Sequence, residues 1–162
     1  MKNSDKGIAI IAYLKWNFKE NIFVDLPCYS NSTVQDDFKK IIWKNCNSRE
    51  QISDEELENV KIIILLTDNP NAPNDFGESP IYWAAYNGRI EIVKILVPLT
   101  DNPNAPKNDG ETPIYCAAIY GHTEIVKILV PLTDNPNAPD MAPIQVAANS
   151  EICGILKTQN SG

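Results

Sequence analysis

His122 is the single histidine of this 162-residue chain, and no serine or cysteine nucleophile can be placed beside it from the sequence. It completes a Gly-His pair at the head of a helix-forming stretch, where a structural role is expected rather than acid–base catalysis. Cys28, Cys46, Cys116 and Cys153 lie far apart without a Cys-x-x-Cys pair. Neither a zinc knuckle nor a dense disulfide framework is suggested, and reduced thiols in a cytoplasmic or nuclear protein are the expectation. Asp68, Asp101 and Asp134 recur beside Asn69, Asn102 and Asn135 and resemble a metal ladder. They stand one repeat apart, too far for one ion to share, and turn capping explains them better. With no glycine-rich phosphate loop, the chain is read as non-enzymatic, with no catalytic residues, cofactor or metal.

Charge narrows the partners. Fourteen lysines and arginines against 21 acidic residues leave a net charge of −7, which repels phosphate backbones and anionic bilayers. Nucleic acid and membrane are not expected partners. No run reaches the roughly 18 apolar residues of a membrane span. Residues 7–14 imitate the core of a signal peptide, but Asp5 precedes them, Lys15 and Trp16 follow at once, and no small-residue cleavage site is present. The Asn31-Ser32-Thr33 sequon would matter only in an exported chain.

The elements that must position these residues are repeats. Residues 66–73, Leu-Thr-Asp-Asn-Pro-Asn-Ala-Pro, return at 99–106 and at 132–139, a spacing of 33 residues both times. A period of that size means stacked supersecondary units rather than one closed globule, and 43% hydrophobic residues are enough to give the stack a core. Two regular units share one grammar. A glycine-containing turn leads to Ser79-Pro80 or Thr112-Pro113, an N-cap followed by proline at the first helical position. The first helix carries Ala84-Ala85 or Ala117-Ala118, small residues where neighbouring helices must approach closely. Gly88 or Gly121 ends it, a second helix follows over residues 91–97 or 124–130, and Pro98 or Pro131 stops that one.

The flanks are degenerate. Ser32 with Gln35 forms a capping-box pattern before a helix predicted over 33–46, and Ser53 with Glu56 forms another before a helix predicted over 54–66. Together these make a degenerate first unit. After residue 139 six residues are lost, three from the turn and three from the inter-helix loop, while Ala147-Ala148 keeps the seam and residues 151–156 keep the second helix. Residues 158–162 are expected to be a loose tail. At the other end residues 1–6 are polar, residues 8–18 are densely apolar with helix slightly preferred, and residues 21–32 read as a connection. The division is therefore an N-terminal extension, 1–32, and a repeat domain, 33–162, with units at about 33–73, 74–106, 107–139 and 140–157.

Residues 110–129, Gly-Glu-Thr-Pro-Ile-Tyr-Cys-Ala-Ala-Ile-Tyr-Gly-His-Thr-Glu-Ile-Val-Lys-Ile-Leu, resemble the ankyrin repeat family, whose mark is a Gly-x-Thr-Pro-Leu-His-x-Ala-Ala core at this period. The resemblance implies an all-α solenoid: an L-shaped stack of helix-turn-helix units with protruding turns, two full repeats and degenerate caps, used for binding proteins without catalysis. The chain departs from the pattern where the family histidine is replaced by Tyr82, Tyr115 and Gln145. Asn102-Pro103-Asn104 also replaces the usual Asp-Val-Asn, and proline there cannot donate a ladder hydrogen bond. Turns looser than those of typical members are expected.

Residues 66–98 and 99–131 agree at 24 of 33 positions. The nine differences are Asn74/Lys107, Asp75/Asn108, Phe76/Asp109, Ser79/Thr112, Trp83/Cys116, Tyr86/Ile119, Asn87/Tyr120, Arg89/His122 and Ile90/Thr123. Stacking asks each unit to present the same faces, so the differing positions are expected to be released from it. The resemblance implies that they line a concave groove. The candidate partner-binding set is Asp75, Phe76, Glu78, Trp83, Tyr86, Asn87, Asn108, Asp109, Glu111, Ile119 and Tyr120. The aromatics serve as anchors, and Asp75, Glu78, Asp109 and Glu111 form an acidic rim suited to a basic segment of another protein. A monomer is the expected state. The alternative places function in the N-terminal segment, as self-association or an effector activity, with the repeats as scaffold.

Overall fold

The computed structural model describes residues 32–50, 52–134 and 142–158, within which there are eight α-helices and no strand. Helices α1 (Ser32–Asn47) and α2 (Asp54–Leu65) form the first pair. Ser53 caps α2 as its sequence predicts: its hydroxyl accepts the Glu56 N–H while the Glu56 carboxylate accepts the Ser53 N–H. Those bonds, backbone first, hold the Glu56 carboxyl below its ordinary range. Gln35 does something the expected capping box did not foresee. Its Nε2 donates to Leu66 O at 3.0 Å and its Oε1 accepts from Asp68 N at 3.1 Å, tying the start of α1 to the chain leaving α2.

The regular units supply α3 (Pro80–Tyr86) with α4 (Ile90–Leu96), and α5 (Pro113–Ile119) with α6 (Thr123–Leu129). The hydroxyls of Ser79 and Thr112 accept from the N–H of Tyr82 and Tyr115, so both predicted N-caps form. Pro98 and Pro131 do end the α-ladder. Each also sits inside a 3₁₀ turn, Val97–Leu99 and Val130–Leu132, because a missing N–H is tolerated in a first turn. The last pair is α7 (Pro143–Val146) and α8 (Ser150–Thr158).

The odd-numbered helices pack side by side in one layer and the even-numbered helices in a second. Between the layers lies a continuous core that includes Ile42, Ile63, Ile81, Ile92, Ile114, Ile125, Ile152 and Leu156, all fully buried. Burial of such a side chain contributes about 1.5–3 kcal/mol. These residues, rather than the surface Glu–Lys pairs, hold the stack together. Ala84, Ala85, Ala117 and Ala118 have no exposed surface, as close approach along the first-helix layer requires.

Three expectations are corrected. Ala147 and Ala148 do not continue that seam: both lie beyond the four-residue α7, Ala148 is exposed, and its N–H donates to Ala118 O at 2.9 Å. With three residues fewer in the connection, the last first-helix gives up its final turn so that the chain can reach α8. Thr158 belongs to α8 rather than to a tail. The turn tips are not loose, since Asn74 N–H to Glu78 O and Gly77 N–H to Asn74 O close one, and the matching pair at 107–111 closes the next, each at 2.9 Å. Asn71 and Asn104 further tie the chain before each tip to the helix after it, each accepting at 2.9 Å from the N–H of Ile81 or Ile114 in the first helical turn. The readings of residues 1–31, of most of the third octet and of 159–162 fall outside the described residues.

Candidate functional site

The candidate residues fall into two linked groups. At the turn tips, Asp75 and Phe76 project outward, Phe76 with 70% of its surface exposed. Asn108 joins this tip to the next one: its backbone N–H donates to Phe76 O and its Nδ2 to Asp75 O, both at 3.0 Å. Gly77, at φ +75°, leaves the space this requires, since a Cβ there would lie 2.6 Å from the Asn108 amide oxygen. Glu78 accepts from Asn74 Nδ2 at 2.9 Å.

Lys107 reorganises the acidic rim. Its Nζ lies 2.8 Å from Asp109 and 2.9 Å from Glu111, and 5.4 Å above the Tyr82 ring. Its hydrogen bonds to Asp109 and then to Glu111 push the lysine up, and Lys107 holds the Asp109 carboxyl down. Glu111 also accepts from the Tyr82 hydroxyl at 2.7 Å. Burial, with the Cys116 and Glu111 hydrogen bonds adding to it, raises the Tyr82 phenol far above its ordinary value. Two of the four rim carboxylates are therefore tied to a lysine, and the open ones are Asp75 and Glu78. Lys107 and Tyr82 are absent from the candidate set read from sequence. The available signal was a lone cation two and four residues from two carboxylates.

Along the first helices an aromatic row begins at Tyr82, which meets Trp83 edge-on at 5.6 Å. It continues through Trp83–Tyr86 at 5.2 Å and Tyr86–Tyr120 at 4.4 Å to His122 at 6.4 Å from Tyr120. Tyr120 donates its hydroxyl to that of Tyr86 at 3.0 Å, which raises its own phenol, and it remains 48% exposed. Trp83 is half-buried against the core with its Nε1 unpartnered, and Ile119 is half-buried as well.

Several differing positions are not released from stacking. Asn87 Nδ2 donates to Cys46 O at 3.1 Å, and the Arg89 guanidinium grips Ser48 O and Glu50 O. One unit on, the residue equivalent to Arg89 is His122, whose Nε2 lies 3.1 Å from Tyr86 O and whose ring fills the space over Gly88. The equivalent residues differ because their neighbours differ: Arg89 faces the longer loop after α1, whereas His122 faces the tight Gly88 turn. Cys116 is buried beside Tyr82, and its thiol is pushed up to about 11, as Cys46 is to about 12, chiefly by burial.

Helix pairs in two layers, linked by hydrogen-bonded tips and fronted by an aromatic row, define a repeat solenoid. A family profile described as ankyrin repeats, three copies, matches residues 51–140, and the chain belongs to the ankyrin repeat family. Members of this family are generally protein–protein interaction modules built on a non-catalytic fold. Among curated proteins no match is found. Among the described residues no helix is long and apolar enough to cross a membrane.

Proposed function

We propose that this chain is a non-enzymatic binding module, an adaptor or inhibitor, that receives a segment of another protein across the turn tips and the first-helix row. The observation that carries this reading is the exposure of Tyr120 on the ring row that runs from Tyr82, together with that of Phe76 on the turn tip. Packing of the stack does not require either ring to face water, and rigid aromatics of this kind anchor interfaces at low entropic cost. Half-buried Trp83 and Tyr86 continue the row beneath Tyr120. Asp75 and Glu78 give the rim a negative edge for a basic residue of the partner. The three described cysteines, Cys46, Cys116 and Cys153, are free thiols, in keeping with a cytoplasmic or nuclear setting.

The test uses the full chain to capture and identify its partner, then measures affinity with Phe76→Ala and Tyr120→Ala. A loss of about thirtyfold for either variant, the size expected of an interface anchor, supports the groove. Unchanged affinity for both overturns it. If binding instead disappears with Leu14→Glu/Trp16→Glu, function lies in the N-terminal segment and the repeats serve as scaffold.

A further inference from the structure

The second-helix layer carries an apolar stripe that the groove does not use. Ile62, Ile95 and Ile128 hold the same position in three successive units and are half-buried. Three and four residues further on stand Leu65 and Leu66 at the end of α2, then Pro98 and Leu99, and Pro131 and Leu132, in the 3₁₀ turns that follow α4 and α6. Leu65 is 61% exposed, Leu99 40% and Leu132 48%. Single exposed leucines are ordinary, whereas exposed leucines at the ends of three successive second helices, Leu99 and Leu132 in equivalent positions and Leu65 one position earlier, make an apolar edge. Ion pairs Glu58–Lys61, Glu91–Lys94 and Glu124–Lys127 lie within the helices, ahead of these leucines, and the exposed carboxylates Asp68, Asp101 and Asp134 lie beyond the C-termini.

The chain enters the stack at this same edge. Gln35, in the first turn of α1, is bonded to Leu66 O and Asp68 N, which sets the start of α1 against the end of α2. The preceding chain includes Ile8, Ile10, Ile11, Tyr13, Leu14, Trp16 and Phe18, with Lys15 within and Lys19 just after this apolar run. We propose that residues 8–18 dock along the Leu65–Leu99–Leu132 stripe of their own chain, with Lys15 and Lys19 toward the Asp68–Asp101–Asp134 row.

The lengths agree. Two inter-unit steps of 8–10 Å make the stripe about 16–20 Å long. Eleven residues cover roughly 16 Å as a helix and roughly 36 Å extended, and the thirteen residues from 19 to 31 reach up to roughly 45 Å. The charges agree as well, because the one flank of the stripe without lysine partners is the aspartate row. This surface is separate from the tips and the aromatic row, so its test is independent of the groove reading.

Trypsin cleavage after Lys15 and Lys19 in the full chain reports the docking, with Leu99→Glu/Leu132→Glu as the comparison. Both leucines face solvent, and a circular-dichroism melt confirms that the variant keeps its fold. Docking requires cleavage at least about tenfold faster in the variant than in the parent. Equal rates overturn the proposal, and so does protection that disappears on dilution, which would make a second copy the occupant. As a second measurement, Leu14→Glu/Trp16→Glu should speed hydrogen exchange at residues 97–100 and 130–133. Unchanged exchange there overturns the proposal independently of the first variant.

Discussion

Lys107 shows how one residue can change the meaning of its neighbours. Read as a string, Asp109 and Glu111 are free rim carboxylates, but in the structure both are bonded to Lys107, and Glu111 also accepts from Tyr82. Because Asp109 is held below its ordinary value of 3.8, its contribution to stability is complete above that pH and is lost as pH falls through the lower folded value. The raised lysine has the opposite sign, contributing below its ordinary 10.5 and losing that contribution only as pH rises through its higher folded value. Lys107→Ala should therefore flatten the acid limb of the stability profile. Urea midpoints measured between pH 7 and pH 3 should fall less in the variant than in the parent, and an equal fall would show that the pair contributes nothing in solution. The paired residues were all present in the sequence, but the pairing was not legible, because carboxylates in a turn are ordinarily solvated.

At the scale of elements, local chemistry was read well and connections between units were not. The N-caps of α2, α3 and α5, the alanine pairs of the two regular units and the helix-ending glycines depend on neighbours a few residues away, and these form as expected. What escaped was the pairing of Gly88 with His122. Gly88 sits at φ +70°, and a Cβ on it would lie 2.6 Å from the His122 ring. Gly88→Ala should cost about 1–3 kcal/mol from backbone strain and the clash together. Placing it in a His122→Ala background should remove the clash but not the strain, so that a double-mutant cycle in urea yields a coupling energy of about 0.5 kcal/mol or more. Additive costs would mean that the histidine moves aside freely.

For the whole molecule, the contraction after residue 139 has an energetic consequence. Helix α7 has four residues, no side-chain cap and a seam that stops at Ala118, so the last unit is held by fewer buried contacts than the units before it. In a stack whose stability is a sum of units and interfaces, that end opens first. Backbone amides of α8 should exchange at least about tenfold faster than those of α4 and α6. Uniform protection from α3 to α8 would mean that the stack unfolds as one unit.

The period of 33, the caps, the prolines and the paired alanines determined that this chain is a stack of helix pairs, because each acts between residues close in sequence. The nine positions that break the repeat were expected to be released from stacking, and that holds only in part. Phe76 and Tyr120 do face outward, whereas Asn87, Arg89, Asn108 and His122 differ from their equivalents because each meets a different neighbour in the adjoining unit. Those bonds join residues 33 to 41 apart, and their partners are backbone carbonyls, which every residue possesses and no sequence pattern marks. Which carbonyl each side chain reaches is set by the length of the neighbouring loop and the offset between stacked units, and only the packed tertiary structure decides that.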